Sequence, residues 1–554
     1  MSPVKGSIHV ATSTPARWRS LGLVCAAGLT AVWCIASLWF PFGWDQGMFA
    51  TVGDAIERGG LPYRDAWDIK GPLAYYGFAL AQFLFGRHMW SIRILDLGLL
   101  FVGMAALAAM VARLTLPRRG YWVASVFALW IGSLTWFHTV QPDTWAAILI
   151  ILAAWPLVSG RPALREWMFS GAMIGCAALI KPLYLAFLIL PLMQIFEQHR
   201  SGGGAAPPAL KGWTRAAAMI GIALAPLALA VAWFAWRGAL GDLIDVHILF
   251  TWNVYSSGAP ASPGDVVRRT VKFFLSDPVV FGLPVIVAGA WSLWRNSRSS
   301  ARLILTWAMV AVMCVAAQRR FFKYHWVVVF PAVLLLAAVG FDALRVFAFG
   351  KGAEWRARSA RFLSQVALGL ATVAVLRLAV VPASGVVQWA KLMTGRISPD
   401  QYYASHVAGS YRAGDDLQAA AYIRERTGPA DTVAVFGNNA GINFLSGRRN
   451  PTRFVSGQPL LQGARSSYRT AYRREYMLGL HRNHPAYFVI GVGWNGLTKD
   501  QAIGDFPELQ GFLADDYQLE TRIGGLDLYH WKASPQPISA VGNQSPAGSA
   551  PAGR

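Results

Sequence analysis

Long apolar stretches recur through residues 20–382, separated by shorter polar segments rich in Lys and Arg. A helix that crosses a bilayer needs about 20 mostly apolar residues. The stretches that approach this length lie near 20–40, 90–115, 121–137, 144–160, 168–180, 183–196, 216–236, 276–294, 302–318, 325–341 and 362–382. The pattern therefore predicts a polytopic α-helical membrane protein with about eleven transmembrane helices. The short stretches beside Lys181 and Pro182 leave open whether this region crosses twice or forms one broken helix, because proline interrupts the backbone ladder.

The pattern changes after residue 382. Residues 383–533 have the shorter apolar runs and mixed spacing of a soluble α/β domain. Its expected elements are two buried strands at 432–437 and 486–492 and two helices at 419–426 and 468–480. The last segment, 534–554, is rich in Pro, Gly and Ser and is predicted to be disordered.

The composition agrees with a membrane topology. The chain is 55% hydrophobic and 14% charged, whereas soluble proteins carry about 25% charge. The net charge of +22 would suggest nucleic acid in a soluble chain, but here Lys and Arg concentrate in alternate loops. By the positive-inside rule, residues 1–19 are cytoplasmic, and no nucleic-acid partner is expected. The four cysteines lie singly in apolar stretches, which indicates core side chains rather than disulfide or zinc chemistry.

The opposite face then carries a first outer loop, residues 41–89, with a dense group of ionisable side chains. Asp45 follows the first apolar stretch directly, and Tyr63, Asp68 and Lys70 come later in the loop. The spacing also predicts two short helices, the second lying in the membrane interface. Ionisable groups near a membrane are costly, so such a cluster indicates function. An ordinary solvated loop is the alternative.

Two further polar groups fall on the same face. His138 and Asp143 lie in FHTVQPDTW, where Asp143 could equally cap a helix. The segment QRRFFKYHW, which runs against the positive-inside trend, supplies Arg319, Arg320, Lys323 and His325. Arginines beside aromatic rings suit a lipid phosphate, and cations that snorkel to the interface are the alternative. Lys181, inside an apolar stretch, faces either a cavity or the interface.

Several of these features form one pattern. It consists of Asp45 directly after the first span, GGLPYRDAWDIKGPLAYY, Arg93, the IKP at Lys181, and RRFFKYH before the tenth span. Over about residues 20–345 the chain resembles the GT-C superfamily of polyprenyl-phosphate-sugar-dependent glycosyltransferases. It is most similar to bacterial family-39-type enzymes with an RgtA/B-like membrane domain, and more distantly to protein O-mannosyltransferases and lipid A aminoarabinose transferases. The family often has Asp-Glu where this chain has Asp45-Gln46, so the second carboxylate is missing here.

This resemblance implies an inverting transfer of a sugar from a polyprenyl-phosphate donor to an acceptor hydroxyl, with Asp45 as the general base. The side chains implied to bind the donor phosphate are Lys70, Arg319, Arg320, Lys323 and His325. The side chains implied to position substrate or acceptor are Tyr63, Asp68, His138 and Asp143. Because cations can stabilise the departing phosphate, no cofactor is required and no metal ligands are assigned. Dependence on a divalent metal is left open.

The resemblance also implies a location and partners. The expected enzyme is a hexosyl or pentosyl transferase of the bacterial inner membrane, with a cytoplasmic N-terminus and a periplasmic C-terminal domain. Its partners would be the lipid-linked sugar, membrane lipids and a glycan, lipid or protein acceptor. Two alternatives stay open: a ligase or polymerase that uses lipid-diphosphate-linked glycans, and a polytopic lipid or sugar transporter. Transporters usually show inverted repeats, which the sequence does not display.

Overall fold

The computed structural model describes residues 16–159, 162–201, 208–257, 262–349, 355–463, 466–491 and 497–533. The predicted disordered tail at 534–554 and residues 1–15 of the predicted cytoplasmic segment lie outside the described residues. Within them, the chain forms a helical membrane part followed by a domain with a small sheet.

Helices make up the membrane part. The α-helices are α1 (Ala16–Ser37), α2 (Trp44–Glu57), α3 (Pro72–Phe85), α4 (Met89–Leu114), α5 (Pro117–Ser133), α6 (Pro142–Ala154), α7 (Leu164–Ala178), α8 (Ile189–Ser201), α9 (Pro208–Trp236), α10 (Leu240–Asp242), α11 (Pro263–Phe274), α12 (Val279–Asn296), α13 (Arg298–Gln318), α14 (Phe330–Phe349) and α15 (Trp355–Met393). Short 3-10 helices cover Trp136–His138, Pro156–Ser159, Pro182–Leu188 and Lys323–Val328. A π-helix, Leu243–Ser256, continues α10.

The described residues contain helices long and apolar enough to cross a membrane, judged by length and composition. They are Met89–Leu114, Gly212–Trp236, Val279–Asn296, Arg298–Gln318, Phe330–Phe349 and Arg358–Met393. Shorter apolar helices are Gly22–Ser37, Pro72–Phe85, Pro142–Val158 and Pro182–Gln198. Large apolar side chains face outward on these helices, among them Leu363, Leu376 and Val380, each more than half exposed. The predicted class, a polytopic α-helical membrane protein with a C-terminal α/β domain, is confirmed, and eleven crossings stay a prediction.

The helical path breaks at the IKP segment. Helix α7 ends before it, and Pro182 starts a 3-10 helix that leads into α8. The first outer loop uses the carbonyls freed by this break, since Gly71 N donates to Ile180 O at 3.1 Å and Leu73 N to Leu179 O at 3.4 Å. A Cβ on Gly71 would lie 2.1 Å from Leu179 O, so only glycine fits there. The break thus docks the loop that carries Lys70.

Helix α15 behaves differently. It continues through Pro382 and ends at Met393, so the domain boundary predicted at residue 383 falls inside a helix. That boundary stays a prediction.

The C-terminal domain combines helices with a mixed sheet. Its elements are α16 (Pro399–Ala404), β1 (Val407–Ala408), β2 (Tyr411–Arg412), α17 (Ala413–Arg426), β3 (Val433–Phe436), α18 (Gly441–Ser446), α19 (Gln458–Leu461), α20 (Ser467–Arg482), β4 (Tyr487–Ile490), α21 (Lys499–Gly504), α22 (Pro507–Asp516), β5 (Tyr517–Ile523) and β6 (Leu526–Trp531). The strand order is β3-β4-β6-β5, with β3 and β4 parallel and the other pairs antiparallel. Every residue of β3 and β4 is buried, as their continuous apolar runs predict. The two predicted strands and two predicted helices are confirmed as β3, β4, α17 and α20.

The β5–β6 hairpin is not among the elements predicted from the sequence. Its strands are joined by Gly524 and Gly525, and Ile523 pairs with Leu526 across the turn. Gly524 has φ +54°, which a glycine adopts without strain. A Gly-Gly pair between two β-prone runs is a hairpin signal, and it was available in the sequence.

The C-terminal domain packs on the first outer loop. Thr51 Oγ1 of α2 donates to Ala440 O at 2.8 Å, and Trp67 N donates to Arg453 O at 2.7 Å. The first outer loop therefore lies between the membrane helices and the C-terminal domain, with polar contacts on both sides.

Candidate active site

Asp45 lies in the first turn of α2, just after α1 ends. Unpaired backbone N–H groups at a helix N-terminus favour a negative charge in that position. The carboxylate accepts a hydrogen bond from Gln141 Nε2 at 3.1 Å, and the Tyr324 hydroxyl lies against it. An acidic side chain from the first outer loop is thus joined to two residues from distant segments.

Asp143 is a fully buried carboxylate in the first turn of α6. Its Oδ1 accepts from Lys181 Nζ at 2.5 Å and from the Tyr184 hydroxyl at 2.9 Å. Gln141 is the N-cap residue of this helix, so capping does not account for the Asp143 carboxylate. Lys181 therefore faces the interior site, where its Nζ also donates to Gln318 Oε1 at 2.6 Å.

Lys70 supplies a second cation to the same carboxylate. Its Nζ lies 3.9 Å from Asp143 Oδ2 and 5.3 Å from the centroid of the Tyr324 ring. The distance to Asp143 fits an ion pair but exceeds a hydrogen bond, so the ammonium hydrogens can reach another anion. Burial disfavours the charged ammonium, but Asp143 and Asp45 outweigh this and hold the pKa of Lys70 above its usual value.

Tyr63 and Asp68 hold the backbone around Lys70. The Tyr63 hydroxyl donates to Lys70 O at 2.8 Å, and Lys70 N donates to the Tyr75 hydroxyl at 2.8 Å. The Tyr75 hydroxyl in turn donates to Asp68 Oδ2 at 2.6 Å. Burial raises the pKa of Asp68 to about 6, although the Tyr75 hydrogen bond and the Lys70 charge oppose it. Both side chains fix Lys70, and their direct contact with substrate stays a prediction.

The cation loop, residues 319–325, divides into an inner and an outer part. The Arg320 guanidinium lies 4.1 Å from the centroid of the Tyr255 ring and donates to Tyr255 O. Arg319 and Lys323 are exposed. Of these predicted phosphate-binding side chains, Arg320 therefore packs against the interior, whereas Arg319 and Lys323 do not. The phosphate-binding roles of all three stay predictions.

Two histidines border the acidic side chains. His325 is buried beside Lys181 and Asp143. The His138 ring lies 5.5 Å from the Tyr324 ring, centroid to centroid. Burial holds the pKa of His138 below its usual value, against the opposing charge of Asp45. Contact of either histidine with a substrate stays a prediction.

The structure thus collects most of the predicted residues in one site between three segments. The predicted residues brought together are Asp45, Tyr63, Asp68, Lys70, His138, Asp143 and His325, with Arg320 at the edge. The residues that the sequence did not assign are Gln141, Tyr184, Tyr255 and Tyr324. Uncharged side chains give little sequence signal, although Tyr324 lies inside RRFFKYH and Gln141 beside Asp143.

Backbone strain concentrates in the same segments. The described non-glycine residues with positive φ are Tyr63, Thr135, Val140, Arg319 and Phe321. This conformation is rare for non-glycine residues, most of all for a β-branched one such as Val140. Strained backbone persists where surrounding contacts enforce it, and it clusters at functional sites. The three loops that form the site are therefore held in fixed conformations.

Arg93 ties two of these segments together. It is 1% exposed. Its Nε donates to Phe40 O at 3.0 Å, its Nη2 to Pro41 O at 2.7 Å, and its Nη1 to Thr139 Oγ1 at 3.1 Å. The segment between α1 and α2, which leads to Asp45, is thereby fixed against the segment that carries Gln141.

A possible metal site lies elsewhere in the described part of the chain. His481, His484 and Asp516 offer ligand atoms within 4.8 Å of one another. All three belong to the C-terminal domain, at the ends of α20 and α22. Metal dependence of the Asp45 site stays an open question.

Comparison with known protein families gives one match over part of the chain. The family described as dolichyl-phosphate-mannose-protein mannosyltransferase matches residues 69–201, a region that includes Lys70, Asp143 and Lys181. No curated protein sequence matches the chain.

Solved structures match over almost the whole chain. The chain is similar to ArnT from Cupriavidus metallidurans bound to undecaprenyl phosphate, with TM-score 0.56, 17% identity, and 94% of this chain and 100% of that chain covered. Apo ArnT gives TM-score 0.56 and 15% identity, covering 93% of this chain and 98% of that chain. The apo oligosaccharyltransferase of Archaeoglobus fulgidus gives TM-score 0.48 and 13% identity, covering 95% and 76%. The two ArnT structures show that the chain has the fold of ArnT. Together with the family match over residues 69–201, they confirm the resemblance predicted from the motifs.

Proposed function

We propose that the protein transfers a sugar from a polyprenyl-phosphate donor to a hydroxyl group of an acceptor. The observation that carries this proposal is that Asp45 and Lys70 both lie against Tyr324, close enough for their charges to interact. The Lys70 ammonium lies 3.9 Å from Asp143 and is not hydrogen-bonded to it. A base and a cation side by side are what a transfer from a phosphate leaving group requires. The similarity of the fold to that of ArnT, whose structure contains bound undecaprenyl phosphate, supports the choice of donor.

The reaction is an inverting displacement. The acceptor oxygen attacks the anomeric carbon of the sugar, and the bond from that carbon to the phosphate oxygen breaks. The electron pair leaves with the phosphate, whose added negative charge Lys70 stabilises. The acceptor proton passes to the Asp45 carboxylate, which acts as general base. Proton, electron pair and leaving group are thus all accounted for without a further reactant.

Asp143 has a different part in this scheme. Lys181 and Tyr184 already hydrogen-bond to one of its oxygens, so it is a poorer proton acceptor than Asp45. It holds Lys70 and Lys181 at a fixed separation, and the other oxygen can orient an acceptor hydroxyl. His325 and Arg320, on the adjoining cation loop, are placed to extend the phosphate site.

We also propose the bacterial inner membrane as the location, with the C-terminal domain in the periplasm. The concentration of Lys and Arg in alternate loops supports this orientation. The donor would then reach the site laterally from the bilayer, between the apolar helices.

A donor comparison tests the proposed function. Purified protein in liposomes is given either a polyprenyl-monophosphate sugar or a diphosphate-linked oligosaccharide, with envelope extract from cells lacking the gene as acceptor. We expect labelled product only from the monophosphate donor. Turnover of the diphosphate donor alone would support a ligase or polymerase instead. Movement of labelled lipid across the vesicle without transfer would support a transporter.

A further inference from the structure

Gln46, the residue after Asp45, is buried and fully engaged by backbone groups. Its exposed fraction is 0%. Its Oε1 accepts from Gly43 N at 2.9 Å, at the start of the same helix. Its Nε2 donates to Thr139 O at 2.6 Å and to Phe137 O at 3.1 Å, and lies 3.4 Å from Trp136 O. The amide therefore connects α2 to a segment that lies about ninety residues later in the chain.

That segment, the Gln141 loop (residues 135–141), leads directly to the acidic site. It is bounded by left-handed residues, Thr135 at φ +75° and Val140 at φ +55°. Immediately afterwards, Gln141 donates to Asp45 at 3.1 Å, and Asp143 begins the contacts with the lysines. Any shift of the loop would therefore move both Gln141, the hydrogen-bond donor to Asp45, and Asp143, the ion-pair partner of Lys70.

We infer that Gln46 is a positioning residue, which holds the Gln141 loop so that Gln141 keeps the Asp45 carboxylate in its reactive orientation. This inference rests on the proposed function, because it assumes that Asp45 accepts the proton. It also explains the Asp45-Gln46 pair. The side chain at position 46 is buried against several carbonyl oxygens to which it donates, which an ionised glutamate cannot do.

Two substitutions that keep the size of the side chain test the inference. Gln46→Met keeps the length of the side chain and removes every hydrogen bond. Gln46→Glu keeps the shape but leaves at most one donor, and only when the carboxyl group is protonated. Burial and the facing carbonyl oxygens favour that protonated form, so the glutamate variant should regain part of the contact as the pH falls.

Helix α3 offers a matched control, because it carries another buried glutamine that donates to α2. Gln82 is also buried, and its Nε2 donates to Ala50 O of α2 at 3.0 Å. Gln82→Glu therefore introduces the same chemical change against α2 without touching the Gln141 loop. Any general cost of burying a glutamate beside α2 appears in this variant as well.

The experiment measures kcat, donor KM and their pH profiles for these variants in liposomes. We expect Gln46→Met to lower kcat by about 10- to 100-fold, since small misplacements of catalytic groups cost that much, with donor KM unchanged. Hydrogen bonds to a carboxylate favour its charged form, so the acidic limb of the kcat profile should move to higher pH. The activity of Gln46→Glu relative to wild type should rise as the pH falls. Gln82→Glu should show neither effect.

A second variant keeps the test decisive if the Gln46 variants fold poorly. Gln141→Met removes the hydrogen-bond donor to Asp45 and leaves Gln46 in place. It should shift the acidic limb of the kcat profile in the same direction. Wild-type kcat and pH profile in folded Gln46→Met, or an unshifted profile in Gln141→Met, would overturn the inference. Asp45→Asn separates this from the proposed function. If that variant is inactive while the Gln46 and Gln141 variants resemble wild type, only the inference fails, whereas an active Asp45→Asn protein refutes the base itself.

Discussion

Three charged side chains at the site each contact an uncharged neighbour. Lys70 rests on the Tyr324 ring, Arg320 on the Tyr255 ring, and Asp45 accepts from Gln141. Such neighbours fix the direction of a charge without neutralising it. In the proposed reaction, the site can therefore present a cation to the donor phosphate and a carboxylate to the acceptor hydroxyl at the same time.

Lys70 should determine donor affinity. In Lys70→Met the stem of the side chain remains and the ammonium is lost, while Lys181 keeps Asp143 paired. A hydrogen bond to a charged group is worth about 1.5–3 kcal/mol, so binding of polyprenyl phosphate should weaken roughly 10- to 100-fold. Titration of the purified variant with undecaprenyl phosphate measures this. Lys272→Met, an exposed lysine of α11, is the control, and equal affinities in both variants would refute the assignment.

At the scale of elements, the site is made by the ends of helices and by the strained loops between them. Asp45 lies in the first turn of α2, Asp143 lies in the first turn of α6, and the cation loop follows α13. Arg93 and Gln46 hold the segment after α1, the start of α2 and the Gln141 loop as one unit. A change within this unit should therefore affect stability and catalysis together.

Arg93 should be required for that unit. Arg93→Met leaves buried carbonyl groups of Phe40 and Pro41 without a donor, at about 1–3 kcal/mol each. Arg93→Lys supplies one nitrogen and cannot reach all three acceptors. Both variants should unfold at lower temperature than wild type in detergent, and lose kcat. Arg295→Met, at an exposed site, should leave the unfolding temperature unchanged. Wild-type stability of Arg93→Met would contradict this role.

The sequence predicts elements better than it predicts how their ends meet. Apolar length identifies the membrane helices and the buried strands β3 and β4, because burial alone determines those residues. The motifs identify Asp45, Lys70 and Asp143, because ionisable groups in apolar surroundings stand out. Gln141 and Tyr255 escape prediction, since their role depends on contacts between segments far apart in the chain. The inward direction of Lys181 likewise depends on Asp143 and Gln318.

At the scale of the whole molecule, the C-terminal domain is joined to the membrane part through buried polar contacts. The Tyr411 hydroxyl contacts Phe42 O, at 3.1 Å, and Asp416 Oδ2, at 3.0 Å. Asn439 Nδ2 donates to the other oxygen of Asp416 at 2.6 Å. Burial raises the pKa of Asp416 to about 7, although the hydrogen bonds from Asn439 and Tyr411 oppose this.

Asp416 should make stability depend on pH. A carboxyl group whose pKa is higher in the folded state favours folding when it is protonated. Its contribution to the free energy of unfolding is therefore complete below the ordinary pKa of 3.8. It is lost as the pH rises through about 7. Asp416→Asn imitates the protonated form, and its gain in unfolding temperature over wild type should be larger at about pH 8 than at about pH 5. Equal differences at both pH values would contradict the prediction; Asp515→Asn is the exposed control.

The orientation of the whole molecule can be tested with single cysteines. Gln518 of β5 and Arg298 at the start of α13 are both exposed, and the charge distribution assigns them to opposite faces. In intact spheroplasts, Gln518→Cys should react with a membrane-impermeant thiol reagent, and Arg298→Cys should react only after permeabilisation. The reverse pattern would place the site on the cytoplasmic face.

The central claim is that the Asp45 carboxylate takes the proton from the hydroxyl group of the acceptor. Single-turnover transfer by the Asp45→Asn variant tests this claim most directly. The substitution keeps the shape of the side chain and an acceptor oxygen for Gln141, but removes the basic carboxylate. General-base catalysis contributes about 10²–10⁴-fold. The account predicts that the folded variant binds undecaprenyl phosphate as wild type does and transfers sugar slower by that factor. Transfer at the wild-type rate by folded Asp45→Asn protein would contradict the account.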